Sequence, residues 1–322
     1  MGARVKGVSA FDRRLLGVTG LEVTAVCIGG GPLGSMPGAF AYETPAERGI
    51  ATAAAALTSE YGFLDTSAGY NEGESERRIG EALRRVGGLP PTTVLATKVD
   101  PDFETGEFDG GAVRRSLEGS LERLGVDRVD LLHFHDPERI AFEDAMAPGG
   151  AVEELVRIRE EGLARHLGVA GGPASLMSRY LATGAFQVLL THNRWTLADR
   201  SADAVITQAH DAGYGVINGA PFGGGVLARG WDAVRGYCYG PTNAATEASI
   251  KAVELICADA GVPLGAAALQ FSTRDPRIDS TIVGVSRPER LAEIEAWAAW
   301  EVPGDIWEAL EAASGRDAGL DN

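Results

Sequence analysis

The 322-residue sequence has little cysteine: Cys27, Cys238 and Cys257, odd in number and widely scattered. That pattern excludes a disulfide framework and offers no zinc spacing. No metal site is expected, and all three read as ordinary buried thiols. No apolar run approaches the length that spans a bilayer. The N-terminus, Met1 to Lys6, lacks the apolar stretch of a signal peptide. Lys6 also stands where a myristoylation motif needs Ser or Thr. A cytoplasmic protein is expected. Basic residues are few, with 29 Lys and Arg against 45 Asp and Glu and a formal net charge of −16. Nucleic acid and anionic membrane are therefore not expected partners. A usable dinucleotide fingerprint is missing too. Gly29 to Gly34 fits the letters, but Pro32 and the Met36-Pro37-Gly38 loop deny the strand-to-helix turn that motif requires. No Pro/Ser-rich or charge-block linker divides the chain, so residues 1–322 read as one domain.

What is present is a large apolar share, 45%, with 23% charged residues, which fits one sizeable core. Eight strand-like runs begin near residues 23, 62, 93, 129, 165, 186, 214 and 280, each followed by a helical pattern. Repeated β-then-α alternation implies a parallel sheet with helices outside. Eight such units over this length imply an α/β fold of the closed (β/α)8 TIM-barrel type. Arg13 to Gly17 and Glu22 to Val26, joined through Val18-Thr19-Gly20-Leu21, predict an N-terminal β-hairpin ahead of the barrel. Thr44-Pro45-Ala46-Glu47 reads as a helix start, with Thr44 as cap, Pro45 in the first turn and Glu47 completing a capping box. The Gly-rich stretch Pro221 to Gly240 is longer than an ordinary connection and reads as functional.

Chemistry-bearing residues fall at or just past strand ends: Asp65, Tyr70, Lys98 and His135. Barrel enzymes gather their groups in this way, from the carboxyl ends of several strands. A free phenol has a pKa near ~10, and a neighbouring ammonium favours the phenolate. Lys98 is thus expected to lower Tyr70, and Asp65 to hold Lys98 charged. Tyr70 then exchanges a proton with a carbonyl or alcohol oxygen. Each residue has a plainer reading. Asp65 suits a turn cap, and Tyr70 suits a half-buried aromatic. Lys98 at an apolar strand end is harder to dismiss, since unpaired Lys is rarely buried. Period-two spacing puts His133 and His135 on one face, and spacing alone does not choose between them.

Several motifs resemble the aldo-keto reductase superfamily over nearly the whole chain. Arg14-Leu15-Leu16-Gly17-Val18-Thr19-Gly20-Leu21-Glu22-Val23 is similar to the opening R-x-L-G-x-T-G-L-x-V. Leu64 to Asn71 with Ser75 to Gly80 resembles D-T-A-x-x-Y-x-x-x-S-E-x-x-x-G. Thr97-Lys98 matches the lysine strand, and Asp130 to Pro137 resembles D-L-x-x-x-H-x-P, a register that selects His135. The resemblance implies a catalytic tetrad of Asp65, Tyr70, Lys98 and His135 and a nicotinamide cofactor, NAD or NADP, across the carboxyl face. It places Gly30, Asn193, Ala220, Phe222, Gly223, Gly225, Ser286, Arg290 and Glu293 at that cofactor. Gly168-Val169-Ala170-Gly171, Leu189 and Gly219 depart from the common carboxamide and stacking positions. Those departures, with Asn193 to Leu197 and Pro221-Phe222-Gly223, look more like the D-threo-aldose (L-fucose type) 1-dehydrogenases and the L-galactose and pyridoxal dehydrogenases. A small carbonyl or sugar substrate is then expected, with Trp195, Phe222, Trp231 and Tyr239 as candidate pocket aromatics. Two alternatives stand beside this reading: a Schiff-base lyase using Lys98, and a non-catalytic cofactor-binding regulatory subunit.

Overall fold

The computed structural model describes residues 4, 5 and 7–320. Met1 to Ala3, Lys6, Asp321 and Asn322 lie outside the described residues, and with them most of the N-terminal segment read as carrying no leader. Eight strands close a barrel in chain order: β1 (Val26–Gly29), β2 (Phe63–Asp65), β3 (Val94–Val99), β4 (Val129–His135), β5 (Ala164–Gly171), β6 (Val188–His192), β7 (Gly215–Gly219) and β8 (Ser280–Gly284). All neighbours pair in parallel. Strands buried on both faces read as near-continuous apolar runs, which is why Val94-Leu95-Ala96 and Val188-Leu189-Leu190 show no alternation.

Two apolar layers hold the barrel. Inside it, Cys27, Phe63, Val94, Ala96, Leu131, Val188, Leu190, Ile217 and Ile282 form one cluster. Outside it, the other strand faces pack on the helices. Phe134 is fully buried there, with ring centroids 4.9 Å from Phe108, 5.5 Å from Tyr180 and 6.5 Å from Phe186.

The expected hairpin pairs Arg13–Leu15 with Glu22–Thr24. Its Leu16, Leu21 and Val23 join the inner cluster, so it plugs one mouth of the barrel. Burying Leu16 this way contributes about 1.5–3 kcal/mol. Gly17 has φ +48°, and a Cβ there would lie 2.2 Å from the Gly215 amide nitrogen. Only glycine lets the hairpin seat so closely. With that mouth sealed, the carboxyl ends of the strands form the open face.

The helix start near residue 44 differs from expectation. The helix spans Ala46–Leu57 with Pro45 at its N-cap and no side-chain capping bond. Thr44 is turned inward; its amide donates to Ser35 Oγ, its carbonyl accepts from Arg78 Nη1, and its Oγ1 has no protein partner. Glu47 does not close a capping box, and instead takes Arg85 from the neighbouring helix Glu74–Val86. Tertiary contacts thus outweigh a local cap worth about 1 kcal/mol. Cys238 departs as well: Cys27 and Cys257 are buried, but Cys238 is only half-buried. The Pro221 to Gly240 stretch is not featureless. It carries the short helices Gly223–Gly225, Val226–Arg229 and Trp231–Val234, and is pinned by the buried Tyr237 hydroxyl on Thr196 and the Asn193 carbonyl. A two-residue strand pair, Arg4–Val5 with Val302–Pro303, was not expected.

Candidate active site

Three successive strand ends, those of β2, β3 and β4, contribute one group each because the register aligns them. Lys98 lies beside His133 across β3–β4, Asp65 beside Ala96 across β2–β3, and His135 beside Ala170 across β4–β5. Lys98 Nζ donates to Asp65 Oδ2 at 2.6 Å and to the Thr66 carbonyl at 2.7 Å. It also donates to the Tyr70 hydroxyl at 3.3 Å and lies 4.8 Å from the centre of that ring. Lys98 and Asp65 are each 1% exposed, a setting in which an unpaired charge would cost several kcal/mol. Burial disfavours the Lys98 ammonium, but Asp65 and Tyr70 overcome it and hold Lys98 above its ordinary value. Burial also raises Asp65, against the pull of Lys98.

Tyr70 departs from the simple expectation. Burial pushes its phenol up to about 12, and Lys98 only partly offsets this. Lys98 does pull the phenol down; desolvation is the larger effect in this cleft. Asp65 therefore serves neither as a turn cap nor as an isolated charge. Its Oδ1 is buried and has no protein partner, which leaves one acceptor unfilled.

A second ion pair lies beside the first. Asp100, just past β3 and 4% exposed, faces His135 Nδ1 at 2.7 Å through Oδ1. Its Oδ2 accepts from Ser67 Oγ at 2.5 Å and from the Gly69 amide at 2.6 Å. Burial opposes ionisation of Asp100, but His135, Ser67 and Gly69 overcome it and hold the carboxyl below its usual range. Burial likewise opposes the His135 imidazolium, and Asp100 outweighs it, so His135 is raised. His133 is the opposite case. Both its ring nitrogens are buried without a protein partner, and burial with the charge of Lys98 drives it well below the usual range. His133 sits in the barrel lumen, whereas His135 lines the cleft.

The four groups lie at the base of a cavity of about 330 Å³, rimmed by Met36, Phe40, Phe103 and Tyr239. It continues into a second lobe of about 540 Å³. Phe40, Tyr239, Ala220, Pro32 and Gly284 line both. The outer lobe is lined by Arg48, Arg229, Arg287 and Arg290 with Ser286, Phe222 and Trp297. Arg290 bonds Glu293 at 2.6 Å and stacks on Trp297 at 4.3 Å.

Of the nine cleft residues expected, Ala220, Phe222, Gly225, Ser286, Arg290 and Glu293 line the outer lobe. Three sit behind its wall. Gly30 donates its amide to the Asp65 carbonyl at 2.7 Å. Asn193 is fully buried and bonds His192 at 3.0 Å. Gly223 backs onto Tyr237, where a Cβ would meet that ring at 2.3 Å. Among the aromatics, Phe222 and Tyr239 line the cleft. Trp195 packs in the core on Phe271, and Trp231 packs at its edge beneath Lys251. Sequence reasoning missed Asp100, Asp136, His192, Phe40 and Phe103 in the inner lobe. Asp100 was findable: it stands two residues past Lys98, on the same face of an extended chain.

A closed parallel barrel whose open face brings together a buried Asp–Lys pair, a half-buried Tyr and a His holds the groups that acid–base chemistry requires. The chain belongs to the Aldo/keto reductase family, whose model matches residues 25–314. It is 29% identical over 289 residues to an L-galactose dehydrogenase of Arabidopsis thaliana, covering 89% of this chain and 88% of that one. It is 29% identical over 275 residues to a D-threo-aldose 1-dehydrogenase of a Pseudomonas species, covering 78% and 83%. A pyridoxal 4-dehydrogenase of Microbacterium luteolum is 27% identical, covering 94% and 97%. In fold it is similar to a holo-form aldo-keto reductase of Bacillus halodurans, with TM-score 0.77, 18% identity and coverage of 96% and 99%. The protein is an NAD(P)-dependent oxidoreductase of a small carbonyl substrate.

The residues present fit such a cofactor. The two-lobed cleft is elongated, and its outer lobe is cationic. At the outer lobe, Gly224 and Gly225 follow Gly223, the three at φ +74°, +102° and +55°, leaving backbone without side-chain bulk. The partnerless Asp65 Oδ1 offers an acceptor for a ligand hydroxyl. Among the described residues no single helix is long and apolar enough to cross a membrane.

Proposed function

We propose that this chain is an aldose dehydrogenase, a cytoplasmic enzyme of one domain that oxidises C1 of a sugar hemiacetal or a comparable small polar alcohol. The observation that carries the roles is the Lys98 contact set: Asp65 at 2.6 Å and Tyr70 at 3.3 Å, in one cleft. Tyr70 takes the hydroxyl proton in oxidation and returns it in reduction. Lys98 opposes the burial that raises the phenol, and Asp65 keeps Lys98 charged and in place. His135 bonds the substrate oxygen. Arg290, Ser286 and the Ala220 to Gly225 turn would hold the phosphate-bearing part of the cofactor, since guanidinium groups recognise phosphate by charge-assisted bonds. The bound nicotinamide supplies hydride-transfer chemistry. Support for an aldose comes from the relatives named above, two of which are sugar dehydrogenases by name. Neither nucleic acid nor membrane belongs to this reading, which the net charge of −16 favours.

The Schiff-base alternative needs a neutral Lys98. The Asp65 and Tyr70 contacts raise its pKa instead, which opposes that chemistry. The test starts with titration of NADH and NADPH against the protein's tryptophan fluorescence. The tighter nucleotide, in its oxidised form, is then assayed with L-galactose, D-threo-aldoses and pyridoxal. Turnover of a sugar is expected. Nucleotide binding without turnover on the whole panel would point to a regulatory subunit, and borohydride trapping of Lys98 would point to the lyase.

A further inference from the structure

The Asp100–His135 pair has a hydrogen-bond logic that fixes which protons it carries. Asp100 Oδ2 is filled by Ser67 Oγ at 2.5 Å and the Gly69 amide at 2.6 Å. A carboxylate oxygen only accepts, so the single Ser67 proton goes to Asp100, while Ser67 Oγ accepts from the Gly69 amide at 3.1 Å. The 3.2 Å contact from Ser67 to His135 Nδ1 therefore has no hydroxyl proton left for the ring. Asp100 Oδ1, 2.7 Å from Nδ1, is a carboxylate acceptor. Nδ1 must carry a hydrogen. The other nitrogen, Nε2, lies 3.7 Å from Asp136 Oδ1, too far for a hydrogen bond, on a ring that lines the cleft.

We propose that Asp100 is a positioning residue for the reaction: it turns Nδ1 inward and keeps His135 a cation, so that Nε2–H is presented as a charged donor to the substrate oxygen. This rests on the proposed catalytic reading and deepens it. His135 then differs from a neutral imidazole, whose Nε2 would face the substrate as an acceptor once Nδ1–H is committed to Asp100. On β2, Asp65 interacts with the His135 charge and is itself paired with Lys98. From β3 come Lys98, which opposes the imidazolium, and Asp100, which favours it. From the β4 end come Asp136, which also favours it, and Arg139, paired with Asp136 at 3.3 Å. Glu138 follows Asp136, and burial raises its carboxyl. Tyr70 stands edge-on to the ring at 6.0 Å. From β6 comes His192, which burial pushes down to about 4 and which is therefore neutral near pH 7. The net effect at His135 is upward.

A raised histidine is charged below its folded value and loses that charge as pH rises through it. Carbonyl reduction should therefore fall on the alkaline side as His135 deprotonates. In Asp100→Asn burial remains and the nearer of the two favouring charges is gone, with only Asp136 left to support the imidazolium, so the same fall moves to lower pH. The experiment records long-range 15N shifts of the histidine rings across pH 5–9, with His135 assigned by its loss in His135→Gln. Reduction of pyridoxal is followed over the same range. We expect His135 doubly protonated at pH 7 in the wild type and neutral in Asp100→Asn. We expect reduction by Asp100→Asn to drop at least tenfold at pH 8 but no more than about threefold at pH 5, with nucleotide binding unchanged. A neutral His135 in the wild type at pH 7, or an equal loss at every pH, overturns the proposal. If Asp100→Asn fails to fold, the wild-type ring shifts still decide it. Because those shifts need no turnover, they separate a wrong Asp100 role from a wrong catalytic reading.

Discussion

The two halves of the barrel end differently at the open face. The ends of β2 to β4 carry Asp65, Lys98, Asp100 and His135 in two staggered ion pairs. Each acid belongs to one strand and its base to the next. The ends of β5 to β8 offer the same cleft Ala170, Leu190, His192, Gly219, Ile282 and Gly284. One half is a polar network held by distances of 2.5–2.7 Å between buried or half-buried partners. The other is mostly small or apolar and makes room. Charges in a low-dielectric site must be paired to persist, and a ligand needs a wall without bulk. One ring of parallel strands supplies both by assigning them to opposite sides.

The sharpest way to break the contrast is at its proton. Tyr70→Phe should lower kcat/KM by about 10²–10⁴-fold, the usual worth of a positioned acid–base group. Nucleotide affinity by fluorescence titration should stay within about threefold. Full turnover in that variant would sink the assignment. Next is the first ion pair. Lys98→Met leaves Asp65 buried and unpaired, which should cost about 3–5 kcal/mol. Adding Asp65→Asn to Lys98→Met should recover part of that loss in urea denaturation, even though both proteins are inactive. Equal stability of the single and double variants would show that Asp65 does not depend on Lys98.

The open half is tested by filling it. A Cβ at Gly219 would stand 3.3 Å from the His192 Cβ, at the limit of tolerance. Gly219→Leu should raise the Michaelis constants for cofactor or substrate about tenfold, about 1.4 kcal/mol. Its melting temperature should move far less than that of Lys98→Met. At the outer lobe, Arg290→Ala should weaken nucleotide binding about tenfold, since a hydrogen bond to a charged group contributes about 1.5–3 kcal/mol. Its kcat should barely change, because Arg290 lies in the outer lobe and not with Tyr70. The smallest effect belongs far from both halves. Arg85→Ala removes exposed pairs with Glu47 and Glu81, and such pairs contribute little. No shift in melting should be measurable, and a clear loss would mean that helix packing there depends on charge.

Much of this was written locally. Eight β-then-α units follow from apolar runs and their spacing, and the hairpin from its Gly-centred link, because period and turn chemistry are properties of short segments. Asp65, Tyr70 and Lys98 stood out because a charged or polar residue at or just past the end of an apolar run needs a reason, whereas only the resemblance to the family motif chose His135 over His133. What short segments do not contain is which ends meet. The pairing of Asp100 with His135, across 35 positions, exists only once the β3–β4 register is set. The same holds for Thr44, whose capping role yields to an inward turn beside Ser35 and Arg78. Trp195 and Phe222 were equal candidates by composition, and only packing sent one to the core and the other to the cleft. The Tyr70 phenol shows the division most plainly. Its neighbouring ammonium was legible, but the burial that lifts it to about 12 is a property of the closed barrel around it. Sequence determines which groups are available and at what local period; desolvation and register, which are collective, decide what those groups do.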